Sequence, residues 1–466
     1  MSYISTTESL KMASSPVIAS NSKKMGLLTM MAICIGLVIV QGAMISAMQG
    51  IGMGGMTFVF AMIAALIISQ FNAMSFAELS LMFPQEGTLA TYTQKAIGHF
   101  PAIVSVFAGY VIVASLAVPV EMFLVDAMLA ELLPGVFPEK VVPILILIAL
   151  TVTNLVGKNV FSKVQNFIAF ILVSVMILLG LMAITGADKP HPVITGTPVD
   201  WGFSGVVDGS FIGLIALAMW LFVGSEYICP MINEVKDPVK NIPRAMQMSL
   251  FAIFGIFLAF VFGASLYMDT ETLLTAPIPY LNYANAVFGQ AGLFIATVMA
   301  LAATCSTVNT ILAALPSMLH GMAKQKQAFP QLKSLNRFNA PWVGILMMAV
   351  FTSIPFITLG IDSLIVLVIA ATTSYLLAYI ISHIDVIVLR QRHPELNRPY
   401  RTPFYPLPQI VGIIAMVYVI INNSPAPEMT SMIFSIAGGM LAVVGVIAAL
   451  WVKFYMKRNL FQPDMT

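Results

Sequence analysis

"LFVGSEYICPMINEVKDPVKNIPRAM", Leu221 to Met246, begins inside an apolar run long enough to sit in hydrocarbon and ends in a polar loop. A carboxylate, Glu226, stands within the run, with Gly224 shortly before it and Pro230 shortly after. An unpaired charge at such a depth is expensive, and glycine and proline both weaken a helix. The coincidence of a break and an acid needs a physical reason, and the rest of the chain supplies it.

The chain has 466 residues, of which 59% are hydrophobic and only 9% charged. Soluble domains carry about 25% charged residues. That much apolar material cannot be hidden in a water-soluble core, so the composition predicts a polytopic, all-α membrane protein. Cys34, Cys229 and Cys305 all lie in apolar runs and have neither a disulfide framework nor zinc-ligand spacing. The polar stretch before Leu27 ends in Lys23 and Lys24 and lacks the short apolar core of a removable signal peptide.

A helix needs about 20 apolar residues to cross a bilayer. On that measure twelve spans are expected, near 27–48, 57–82, 102–133, 141–157, 163–186, 209–232, 246–268, 287–319, 343–360, 363–390, 407–422 and 431–455. With a cytoplasmic N-terminus, the loops holding Lys95, Lys236, Lys240, Arg244, Lys333, Arg337, Arg398 and Arg401 all fall inside. Only Lys140 and Lys189, of 22 lysines and arginines, fall outside. That asymmetry predicts a multi-pass protein of the cell membrane with residues 1–26 and 456–466 as cytoplasmic tails.

Four stretches then resemble a known family. "AELSLMFPQEGTLATYTQKAIG" (Ala77 to Gly98) is similar to the second helix and following loop of the amino acid–polyamine–organocation transporters. "NEVKDPVKNIPRAM" (Asn233 to Met246) resembles their helix 6–7 loop. "NTILAALPSMLHGMAKQKQAFPQ" (Asn309 to Gln331) resembles the end of helix 8, and "RPYRTPFYPLP" (Arg398 to Pro408) the approach to helix 11. The matches occur in the family's order. The resemblance implies two inverted repeats of five helices, here 27–186 and 209–390, with two peripheral helices in 407–455. It also implies interrupted helices 1 and 6, whose unwound backbone holds the substrate; non-helical backbone is tolerated at that depth only where it lines a cavity.

On that basis the expected substrate-binding residues are Gln41, Gly42, Ala43 and Met44 at the first break and Gly224, Ser225, Glu226 and Tyr227 at the second. Trp220 joins them, because it matches a tryptophan that faces the substrate in an exchanger of the family and can bind an ammonium through its ring. Asn309 and Tyr375 are weaker candidates. Glu226 and Glu121 are the expected coupling residues, since intramembrane acids default to function. Glu78, in the Ala-Glu-Leu signature, reads instead as a structural acid near the cytoplasmic face.

Two departures from the family pattern matter. The first break reads "VQGAM" (Val40 to Met44) where the family has Gly-Ser-Gly-Ile, so Gln41 stands in place of a serine. The helix 5 lysine of some proton-coupled members is replaced by Leu172. Hydroxyls in "TCSTVNT" (Thr304 to Thr310) suit a sodium site, yet such hydroxyls more often bond a neighbouring helix. No cofactor or metal is expected, and a proton is the expected coupling ion ahead of sodium. The five histidines form no cluster with acids at metal spacing, and no nucleotide-binding loop is present, which argues against an enzyme or an ATP-driven pump. The expected function is secondary active transport of an amino acid or related amine, as a proton-coupled carrier or an exchanger, with no nucleic-acid partner. The alternatives are an importer of polyamine- or ethanolamine-type amines, and a channel or nutrient sensor with a transporter fold.

Overall fold

A computed structural model of the chain describes residues 24–84, 88–186, 191–424 and 427–465. The tail before Lys24 and the outer residue Lys189 lie outside the described residues. Regular structure among the described residues is helical, apart from one isolated bridge between Met25 and Val235.

The first expected span is broken. Helices α1 (Leu27–Val38) and α2 (Gln41–Gly54) meet at a bend of 65°. Then follow α3 (Met56–Met82), the short α4 (Leu89–Ala96), and α5 (His99–Leu132), which carries a wide π turn at Phe107–Ile112 and Pro119 inside it. Helices α6 (Val141–Leu155) and α7 (Lys158–Thr185) complete this half.

The sixth expected span is broken as well. Helix α8 (Phe211–Met219) tightens into a 3-10 turn at Trp220–Phe222, and after Gly224 the chain resumes as the 3-10 segment α9 (Ser225–Glu234). Next come α10 (Pro238–Ser265), α11 (Pro279–Phe288), α12 (Gln290–Lys324), α13 (Trp342–Thr358) and α14 (Leu364–Arg392), then the outer helices α15 (Leu407–Asn422) and α16 (Pro427–Leu450). Among the described residues, eight stretches are long and apolar enough to cross a bilayer, and the bent pair makes a ninth. Helices α6, α13 and α15 are apolar but shorter, and they sit at three of the expected spans.

Packing repeats between the halves. Helix α1 lies against α10, and its counterpart α8 lies against α3. Helix α7 packs on α12 and α10, while α14 packs on α5 and α3. These neighbour relations thus hold when each of these helices is exchanged for its equivalent in the other half. Each broken helix is held against an unbroken one, so its backbone can be interrupted without losing its apolar contacts.

The reading of Glu78 as a structural acid has a physical basis. Arg390 donates to both its carboxylate oxygens at 2.8 and 2.6 Å, Thr402 N–H donates at 2.7 Å, and the Arg398 guanidinium lies 3.6 Å away. A bidentate pair of this kind fixes geometry. It ties α3 to the end of α14 and to the "RPYRTPF" segment.

Candidate functional site: two helix breaks around a small cavity

The first break falls slightly upstream of the expected place. Ile39 and Val40 are extended, with φ −81° and −116°, and Gln41 to Met44 form the first turn of α2 rather than the unwound segment. The reason lies in the residue types, because two consecutive β-branched residues favour extended backbone over helix. The start of a helix leaves N–H groups without intrahelical partners. Here Gln41 N–H and Gly42 N–H each donate to the Glu121 carboxylate of α5 at 3.0 Å. Thr304 of α12 donates to the same carboxylate at 3.1 Å and accepts from the Gln41 side chain at 2.7 Å. Tyr280 of α11 donates to the Gln41 side-chain oxygen. At the other side of the break, Thr307 donates to the free carbonyls of Gly36 and Leu37 at 3.3 and 3.4 Å.

The second break turns on Gly224. Its φ of 121° is accessible to glycine and strained for other residues. Its N–H donates to the Tyr379 hydroxyl of α14 at 3.1 Å. Tyr379 and Tyr375 each donate to the Glu226 carboxylate at 2.7 Å, and their own hydroxyls touch. Cys34 of α1 donates to the Ser225 carbonyl at 3.3 Å, which stitches the two breaks together. Both Glu121 and Glu226 are buried, and neither forms an ion pair among the described residues.

Between the breaks lies a cavity of about 60 Å³. The broken helices contribute Val38, Val40, Trp220, Val223, Gly224 and Tyr227 to its wall. Glu121, Thr307, Ile311 and Tyr375 complete the part that matters chemically. A water-sized group occupies on the order of 10–15 Å³ on this measure, so the space suits a ligand of a few heavy atoms. A larger groove of about 460 Å³ lies elsewhere, among Phe107, Phe351, Met440 and Trp451, and no charged side chain lines it.

The expected residues therefore separate. Glu121, Trp220, Gly224, Tyr227 and Tyr375 line the cavity. Gln41, Gly42 and Glu226 stand directly behind its wall, bonded to groups that line it. Ala43 and Met44 are packed inside α2, and Ser225 offers its carbonyl to Cys34. Asn309 is a correction. It donates to Gln165 at 3.0 Å and accepts from Asn154 at 2.9 Å, away from the cavity. Helical spacing explains it: Thr304, Thr307 and Ile311 share the cavity face of α12, and Asn309 points across the helix from them.

Residues missed from the sequence include Tyr379, Gln165 and Tyr280. Tyr379 was legible in principle, since it stands one turn after Tyr375 on the same helix face. Gln165 and Tyr280 had no local signal, because their partners Ser306 and Gln41 come from distant helices.

The profile of the amino acid permease family matches residues 25–448. A serine/threonine exchanger, SteT, of Bacillus subtilis is 22% identical over 94% of this chain and 97% of its own length. The gamma-aminobutyric acid permease of Escherichia coli is 24% identical, covering 80% of this chain and 82% of its own. The human cystine/glutamate transporter is 23% identical over 89% and 83% of the two chains. Among solved structures, a substrate-bound, outward-open Na+-coupled sialic acid symporter has the same fold, with a TM-score of 0.56 at 14% identity over 88% of this chain and 90% of that one. With the repeated packing and the two breaks, these matches make the chain a multi-pass membrane transporter, not an enzyme, that belongs to the amino acid permease family of the amino acid–polyamine–organocation superfamily.

Proposed function

We propose that this protein is a secondary active transporter that carries a small amino acid or related amine through the cavity between its two helix breaks by alternating access. The repeats, taken as 27–186 and 209–390, rock against each other, and both termini lie in the cytoplasm. The observation that carries the reading is the meeting of Val40 and Gly224, each at a helix break, on one small cavity with a buried carboxylate at each break. Glu121, Trp220, Gly224, Tyr227 and Tyr375 contact the substrate, and Gln41 and Gly42 hold Glu121 in place.

A proton is the coupling ion in this reading, and Glu226 carries it. Glu226 is buried with two tyrosine hydroxyls and, among the described residues, no cation. Sodium is disfavoured by the α12 hydroxyls: Ser306 accepts from the Gln165 amide at 2.6 Å, and an N–H aimed at that oxygen opposes a metal ion there. Purified protein in liposomes should show saturable uptake and counterflow of an amino acid or amine. Flux that never saturates would mark a channel instead, and no flux with any solute of either class would leave a sensor. For orientation, cysteines at Lys240 and Val136 should label from opposite sides of the membrane, with Lys240 inside.

A further inference from the structure

The start of a half-helix is a ready anion site, because its free N–H groups and its dipole both favour negative charge. In this protein that site at α2 is already filled. Two backbone N–H groups and the Thr304 hydroxyl converge on Glu121, which reaches across from α5 and also forms part of the cavity wall. A substrate carboxylate could dock there only by displacing Glu121, which would then lose three hydrogen bonds and sit beside a like charge. Among the described residues, no lysine, arginine or histidine lines the cavity to hold a carboxylate elsewhere.

We propose that Glu121 is a carboxylate the site supplies for itself, and that the substrate is a small primary amine without a carboxyl group; the inference rests on the transport reading above. A carboxylate has about four acceptor positions. Three are taken by Gln41, Gly42 and Thr304, which leaves Glu121 one lone pair for an ammonium. The Trp220 ring on the same wall supplies a face for the same cation. The rest of the amine meets Val38, Val113, Val120 and Val223, an apolar surface that suits a short branched alkyl chain. The buried Trp220 Nε1–H has no hydrogen-bond partner among the described residues, so an amine that also carries a hydroxyl would satisfy it.

The test uses matched pairs that differ only in the carboxyl group: isobutylamine against valine, and ethanolamine against serine. Binding is read by thermal shift of the purified full chain and transport by counterflow in liposomes. The amine of each pair should bind roughly a hundred-fold more tightly than its amino acid, the scale of one like-charge contact in a closed site. In Glu121→Ala the freed N–H groups of Gln41 and Gly42 should reverse that preference. Glu121→Gln, which keeps the shape, should weaken the amine without helping the amino acid, and its elution as a monodisperse peak guards against misfolding. Counterflow with valine or serine and none with either amine would overturn the inference while leaving the transport reading intact. Counterflow with none of the four would count against both.

Discussion

The two helix breaks solve the same problem with different chemistry. At Val40 the orphaned N–H groups of the next helix meet a carboxylate, Glu121, that itself faces the cavity. At Gly224 the orphaned N–H meets a neutral hydroxyl, Tyr379, and the carboxylate Glu226 stands behind the tyrosines. One break thus turns its acid to the cavity, and the other screens its acid from it. In the transport reading proposed above, this difference divides recognition from coupling, set by which group terminates each helix.

The sharpest way to break this comparison is at the glycines. A Cβ at Gly224 would lie 2.9 Å from Leu37 Cδ2, at a φ of 121° that only glycine adopts without strain. Gly224→Leu should abolish counterflow while the protein still inserts and purifies; an active variant would mean that the second break is not at the substrate path.

Next in size is Glu226→Gln. The amide keeps the shape, its oxygen still accepting from one tyrosine hydroxyl while its NH2 donates to the other, so the fold should survive. Accumulation against a concentration gradient should no longer follow an imposed pH gradient, whereas exchange without a gradient continues. Full pH dependence in the variant would place coupling elsewhere, with Glu121 the first alternative.

Trp220→Ala probes recognition alone. Removing the ring should weaken binding by about 1–2 kcal/mol if a desolvated cation rests on it, or roughly ten-fold in affinity. A titration showing unchanged affinity would move the substrate away from this wall.

The smallest effect is expected at Gly42→Ala. An added Cβ there meets Glu121 Oε1 and Trp220 Nε1 at 3.6 Å, ordinary contact distances. In the first turn of α2 the change should alter stability by less than about 1 kcal/mol. Thermal melts of the two alanine variants would then contrast: little change at Gly42, and a loss of about 1–3 kcal/mol at Gly224, where the backbone is strained for any side chain. Equal losses at both positions would erase the difference between the breaks.

Much of the architecture was legible in the chain itself. Apolar runs long enough for a bilayer, the glycine and acid in "LFVGSEYICP", and four family-like stretches in order point to a transporter with interrupted helices. Those signals are local: hydropathy, backbone propensity and short motifs depend on near neighbours. The exact place of the first break was less legible, because the resemblance pointed to Gln41–Met44 while the β-branched pair Ile39–Val40 decided it. What only the tertiary structure settled is which polar groups meet. Glu121 reaches Gly42 across 79 positions of chain, Gln165 reaches Asn309 across 144, and Tyr379 reaches Gly224 across 155. A carboxylate has no sequence-local sign of whether it faces lipid, cavity or a helix end. Its partner is chosen by packing, because a buried polar group must find whichever donor the fold brings within hydrogen-bond distance.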